Sequence, residues 1–262
     1  LLQAVDVGFR YHAGTPLVLD GVSLEIARGD LVGILGPNGS GKTTLLRLLA
    51  GTRRPSRGQV LLDGQPIGRL TRRALARRIA VVPQETELAF EYTALEMVLM
   101  GRHPHLGVFE VEGPHDYALA REALAATGTV SLADRLFRTL SGGEKQRVVI
   151  AAALAQSSEV LLLDEPTASL DLGYQLDVAG LLSSLNRERG VTMAISTHDL
   201  NLAASICRTL VLVRGGRVLA AGATDEVLTP DSVRALYDVE AEVRVHQATG
   251  HRTVVPLRRY GP

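Results

Sequence analysis

Lysine is nearly absent from this chain of 262 residues: only Lys42 and Lys145 occur, and the remaining 26 basic residues are arginines. Such a bias fits a GC-rich genome and makes each surviving lysine worth attention. Cysteine is scarcer still. Cys207 alone excludes an internal disulfide framework and a multi-cysteine zinc site, and it reads as a small buried residue rather than a reactive thiol. An excess of either charge is missing as well. Lys+Arg and Asp+Glu both total 28, so nothing in the net charge argues for a nucleic-acid partner, although neutrality is compatible with a local basic patch. Long hydrophobic runs are also lacking. The longest, VVIAAALA at 148–155, falls well short of the roughly 18 apolar residues of a spanning helix, so no membrane crossing is expected. The first residues, LLQAVDVGF, have neither the charged start nor the apolar stretch of a secretory signal. They begin on leucine, so the numbering is expected to start inside the gene product. No repeat or low-complexity tract is visible.

What is present is 46% hydrophobic content, enough for a sizeable core in one compact unit or a core with subdomains. VSLEI (22–26) alternates, LVGIL (31–35) is apolar throughout, and the turn-like ARGD between them separates two predicted strands. TTLLRLLAG has helical spacing with Gly51 as its stop. Further strands are predicted at 59–63, 79–83, 159–164, 191–197 and 209–213, and mostly helical patterns fill the stretch from about Glu85 to Gln156. Strands alternating with helices of this length predict an α/β fold with a largely parallel sheet and an inserted helical subdomain. After residue 217 come GRVLAAG, a helix near 231–237, and a hairpin turning at Thr249-Gly250.

GPNGSGKT at 36–43 matches G-x-x-x-x-G-K-[ST] and lies between a predicted strand and a predicted helix, the setting this motif needs. Its glycines let backbone N–H groups curl around phosphate oxygens, and the helix N-terminus adds positive potential. Lys42 places a compact charge at the β/γ-phosphates and Thr43 offers its hydroxyl to Mg²⁺. LLLDEPT (161–167) is an apolar strand ending in two carboxylates. Asp164 suits Mg²⁺ and Glu165 suits an attacking water and its proton; taken alone, the pair also reads as an ordinary turn after a strand.

With LSGGEKQR at 140–147 the chain resembles the ATP-binding-cassette ATPases, which carry this motif at the start of a helix. There Ser141, Gly142 and Gly143 are implied to meet the nucleotide of a second subunit, while Ser141 also reads as a simple helix cap. The resemblance extends over essentially the whole chain. It implies a P-loop NTPase (RecA-like) α/β core at 1–85 and 156–220 with an antiparallel β subdomain, a helical subdomain at 86–155, and a C-terminal helix and β-hairpin at 221–262. It also implies ATP as nucleotide, held by Gly36, Pro37, Asn38, Gly39, Ser40, Gly41, Lys42, Thr43 and Thr44. Tyr11 is implied to stack on adenine, with a core tyrosine as its rival. Gln84 is implied to contact Mg²⁺ and the water, Asp171 to lie in a loop signalling across the dimer, and His198 to reach the γ-phosphate, although a lone histidine is more often structural. Ala152 and Ser158 depart from the arginine and proline common in relatives, away from the phosphate chemistry.

Only 99 residues separate Lys42 from Ser141, which leaves no room for the coiled-coil insertion of DNA-repair relatives. A single cassette without membrane helices resembles an importer subunit served by a separate permease. GRHPHLG (101–107), STHDLNLAA and the C-terminal tail resemble the subfamily for iron–siderophore, haem and cobalamin uptake. As a metal site GRHPHLG is poor, since His103 and His105 flank a proline without an assignable third ligand. A plain exposed loop is the stronger rival; the reading adopted is a docking loop for the permease. The expectation is a homodimer at the cytoplasmic face of the membrane, contacting the permease near Gln84 and 101–107 and serving a substrate-binding protein indirectly. A metal-ion importer and a soluble iron–sulfur cluster assembly ATPase are the alternatives.

Overall fold

The computed structural model describes residues 1–86 and 90–259. The chain opens with strands β1 (Leu2–Phe9), β2 (Leu19–Ile26) and β3 (Leu31–Leu35), then helix α1 (Lys42–Leu49). Next come β4 (Arg57–Leu62), β5 (Gln65–Pro66), α2 (Arg72–Ala76) and β6 (Ile79–Val82). Helices α3 (Ala94–Leu99), α4 (Pro114–Ala126) and α5 (Gly142–Ala155) follow, then β7 (Val160–Asp164) and α6 (Leu172–Arg189). The chain continues through β8 (Thr192–Thr197), α7 (Leu200–Ile206), β9 (Thr209–Arg214) and β10 (Arg217–Ala223). It closes with α8 (Thr224–Val227), α9 (Pro230–Tyr237), β11 (Val239–Val245) and β12 (Arg252–Arg259). Two compact units divide it, one of Leu1–Arg69 with Thr192–Pro262, the other of Leu70–Val191.

The first unit contains an antiparallel sheet in the order β2-β1-β4-β5. Alternation from Val22 onward in β2 buries Val22, Leu24 and Ile26, which matches the period of a half-covered strand, and Leu19 is buried at its start. Strand β1 carries no clear sequence pattern, and its geometry explains why. Asp6 takes φ 48 and shifts the register against both neighbours, so the two-residue alternation breaks in mid-strand. The same unit contains β3 paired in parallel with β8 on one side and β9 on the other, with β10 antiparallel to β9. Every residue of β3 is buried, as its unbroken apolar run predicts for a strand covered on both faces. The predicted C-terminal hairpin is β11–β12; residues 260–262 lie outside the described residues. Asn201 of α7 clamps β12, donating Nδ2 to Val254 O at 3.2 Å and accepting Val254 N–H at 2.7 Å.

Cys207 ends α7 beneath β3, its Sγ 3.1 Å from where a Cβ on Gly33 would stand. Burial pushes its thiol up to about 12, so almost none is thiolate at neutral pH. Native protein at about pH 8 is expected to leave a disulfide reagent such as DTNB unreacted, and unfolded protein to release one thiol per chain. Rapid stoichiometric reaction of the native chain would contradict this burial.

In the second unit β6 and β7 run parallel, and α3, α4 and α5 pack against one another. Reciprocal caps start two of these helices: Thr93 with Glu96, and Ser141 with Glu144. Hydrogen bonds from Thr93 hold the Glu96 carboxyl below its ordinary range. Helix α6 ends on Gly190 in the left-handed region.

Candidate functional site

In the first unit the chain leaves β3 at Leu35 and turns through Gly36–Gly41 into α1. A side chain has no room at Gly36, where a Cβ would strike Val213 O and come within 2.6 Å of Ser40 Oγ. Gly41, at φ 103, occupies the helix N-cap and so brings no capping side chain of its own, and no carboxylate stands in the first turn of α1. That end of the helix retains the positive potential to which anions bind. Lys42 is buried and donates Nζ to Gly36 O at 2.8 Å and to Pro37 O at 3.3 Å, lacing the loop from inside. Ser40 Oγ is buried with no hydrogen-bond partner among the described residues. Leu35 of β3 pairs with Thr197 of β8, so Gly36 and His198 step off the same sheet edge. Beyond strand C-termini at such an edge is where open α/β sheets bind ligands. The exposed His198 has its carbonyl bonded by Tyr237 Oη at 3.1 Å, and Asp199 caps α7 behind it.

Tyr11 is 43% exposed, which removes the core-tyrosine reading. Its ring is nevertheless fixed. The hydroxyl lies 3.0 Å from Thr44 Oγ1, Phe9 meets it edge-on at 5.0 Å, and Arg53 sits 5.9 Å from its centroid.

In the second unit Val82 of β6 pairs with Leu163 of β7, so Gln84 and the carboxylates Asp164 and Glu165 leave their strands at one edge. Asp164 is buried, whereas Glu165 takes φ 46. A left-handed non-glycine residue costs of the order of 1 kcal/mol and persists where surrounding structure enforces it. Ser141 Oγ accepts Glu144 N–H at 3.3 Å while Glu144 Oε2 accepts Ser141 N–H at 2.8 Å. That backbone bond from Ser141 is the chief cause holding the Glu144 carboxyl below its ordinary range. Asp171 is the N-cap of α6.

The same unit has a groove of about 460 Å³ lined by Thr86, Phe90, Glu91, Tyr92, Phe137, Arg138 and Lys145. Phe90 and Tyr92 meet edge-on, and Arg138 Nε lies 2.7 Å from Glu91 Oε1. The stretch 101–107 is less open than a plain loop. Met100–His105 forms a 3₁₀ turn; Arg102 is buried, His105 Nε2 lies 2.8 Å from Gln156 O, and Arg73 and Arg77 donate to Pro104 O at 2.9 and 2.8 Å. Only His103 and Gly107 of this stretch are exposed, and beyond it Phe109 stands 99% exposed between Val108 and Val111.

The profile of a protein family described as ABC transporter matches residues 19–168. This chain belongs to the ABC transporter family. Among curated relatives, the cobalamin import ATP-binding protein of Halobacterium salinarum is 48% identical over 94% of this cassette, which spans only 61% of that relative's length. The hemin import ATP-binding protein of Gloeobacter violaceus is 43% identical, covering 98% of the cassette and 94% of its own length. The ferric enterobactin transport ATP-binding protein of Escherichia coli is 39% identical, with 95% and 92% covered. Of solved structures, an inward-facing ABC transporter described as of metal-chelate type superposes with a TM-score of 0.85 at 32% identity, covering 98% and 96%. A dimeric ATP-binding cassette in a post-hydrolysis state with ADP and Pi superposes at 0.74 and 31% identity, covering 86% and 99%. The cassette's fold is therefore the expected α/β one, with its antiparallel sheet.

Within the cassette, the predicted residues fall into two sets, each considered within its own unit. Tyr11, Gly36–Thr44 and His198 belong to the first, and Gln84, Ser141–Gly143, Asp164, Glu165 and Asp171 to the second. Sequence reasoning missed Arg53 beside Tyr11 and Tyr174 against Gly143. Neither lies near its partner in sequence, and no local pattern signals either contact.

Proposed function

We propose that this chain is the ATP-hydrolysing subunit of an importer for haem, ferric siderophores or cobalamin, working as a homodimer beneath a separate permease. The observation that carries this reading is the phosphate loop, where a buried lysine is laced into the turn before a helix whose N-cap is glycine. Relatives named for cobalamin, hemin and ferric enterobactin import supply the cargo class.

The phosphates of ATP lie along the loop 36–44 on its backbone N–H groups, which every residue there but Pro37 has, and Lys42 exchanges its two loop carbonyls for β/γ-phosphate oxygens. Tyr11, already oriented by Thr44 and Phe9, stacks on adenine. Thr43, Gln84 and Asp164 offer a hydroxyl, a carboxamide and a carboxylate, the hard oxygen donors that suit Mg²⁺. When bound, the ion neutralises phosphate charge. Glu165 orients the attacking water and takes up its proton, and His198 hydrogen-bonds the γ-phosphate. A second copy presents Ser141, Gly142 and Gly143 to the same nucleotide, with its Asp171 nearby. The helical subdomain is assigned to 86–155, on α3, α4 and α5. The permease seats on the Phe90–Lys145 groove, near Gln84, and on the exposed face around His103 and Gly107. The cassette is peripheral on the cytoplasmic face, and a substrate-binding protein delivers cargo on the other.

The test is reconstitution with the permease encoded beside this chain, followed by ATPase rates with binding protein loaded with haem, a ferric siderophore or cobalamin. Selective stimulation by one cargo is expected. An assembled complex that hydrolyses ATP but answers to none overturns the cargo class, and one without hydrolysis overturns the enzymatic reading.

A further inference from the structure

We propose that Tyr174 is a positioning residue that locks the Ser141–Gly143 turn to the Ser169–Asp171 loop, so that both present to a second copy's nucleotide as one rigid surface. The proposal rests on the nucleotide reading above. Tyr174 stands in the first turn of α6 and lays its ring on Gly143 at the start of α5. A Cβ on Gly143 would lie 2.6 Å from the ring's Cγ and 3.0 Å from Tyr174 Cβ, closer than side chains tolerate. Beside it, a Cβ on Gly142 would lie 3.3 Å from Leu170 Cδ2. Two successive glycines thus lie against two residues of one other segment, Gly143 buried beneath Tyr174 and Gly142 exposed beside Leu170.

Each side of this joint is stiff in itself. On the turn, Ser141 and Glu144 exchange hydrogen bonds, and Arg135 Nη1 lies 3.5 Å from Glu144 Oε1. On the loop, Ser169 takes φ 62, Gln175 Nε2 donates to Leu170 O at 2.9 Å, and Gln175 N donates to Asp171 O at 2.9 Å. Between two stiff pieces, the ring-on-glycine contact sets their relative placement. Tyr174 remains 37% exposed, so it is not simply a core residue whose loss unfolds the unit. Hydrogen bonds from backbone N–H groups weaken steeply as distance and angle leave their narrow range. A turn free to rock against the loop therefore misplaces the Gly142 and Gly143 amides without touching the phosphate loop of the same chain.

The experiment compares Tyr174→Ala, Tyr174→Leu and Tyr174→Phe, each combined with Glu165→Gln. MgATP affinity is measured on dilute protein, and ATP-driven dimerisation by light scattering. Ala and Leu are expected to weaken dimerisation about tenfold with MgATP affinity unchanged, while Phe, which keeps the ring, matches the parent. With Glu165 restored, the Ala and Leu variants need more ATP for half-maximal turnover and keep their kcat. If the Ala variant does not fold, the Leu variant decides. Dimerisation at the parental level in the deciding variant overturns the proposal, as does a Phe variant impaired as much as Leu. A parent that binds MgATP but ignores these changes overturns Tyr174 alone; one that binds no MgATP overturns the nucleotide reading and this proposal together.

Discussion

Replacing Glu165 with glutamine is expected to lower steady-state phosphate release about a thousandfold while ATP-loaded dimers accumulate. Glutamine keeps the size and one oxygen of the side chain but cannot take up a proton. The backbone also changes little, because Glu165 already sits at φ 46 at the end of a buried strand and its carbonyl accepts Ala168 N–H at 3.0 Å. Loss of turnover with retained nucleotide and dimer therefore isolates the carboxylate's proton chemistry from binding. The measurements are phosphate release and size-exclusion chromatography with and without MgATP. Turnover within about threefold of the parent, far inside the usual range for losing a general base, would remove Glu165 from the role given to it.

Arg102→Ala is expected to destabilise the chain by about 3 kcal/mol, lowering Tm by about 8 °C. Its guanidinium is enclosed: side-chain exposure is 5% for Arg102 and 13% for Asp116, with Nε and Oδ1 2.9 Å apart. Nη1 also donates to Ala155 O at 2.7 Å and Ser157 Oγ at 3.3 Å, joining the 3₁₀ turn to the end of α5. Removing the arginine strands a buried carboxylate, which makes breaking half a buried pair costly, and leaves Ala155 O only a long bond of 3.4 Å from Ser157 Oγ. The hydrogen bond from Arg102, followed by that from Gly113 N, holds the Asp116 carboxyl below its ordinary range. Depression of a folded-state carboxyl contributes stability above the unfolded value of about 3.9, and this is lost as pH falls through the folded one. Urea titrations across that acidic window should show a steeper loss for the parent than for Arg102→Ala. Equal stability of the two proteins at neutral pH would contradict the pairing.

The legible parts of this molecule were those where backbone chemistry dictates residue type locally. The run 31–35 had to be a covered strand, and GPNGSGKT needed glycine where Val213 O leaves no room for a Cβ and where the chain turns to φ 103. Strand β1 stayed hidden because one left-handed aspartate breaks the alternation by which strands are recognised. For 101–107, glycine, proline and histidine gave the composition of an open loop. A sequence cannot distinguish a solvated arginine from one buried against an aspartate 14 residues away. Tyr174 is the same kind of case, since the glycine it covers lies in another helix. Long-range contacts of single side chains leave no periodicity behind.

The scarcity of lysine has a practical consequence now that both are placed. Lys42 is enclosed by the carbonyls of its own loop, whereas Lys145 is only partly covered and lines the aromatic groove. Among side-chain amines, acylating dyes will therefore favour one position. A fluorophore attached there sits where the permease is proposed to dock, so assembly and release can be followed optically on a chain carrying no mutation.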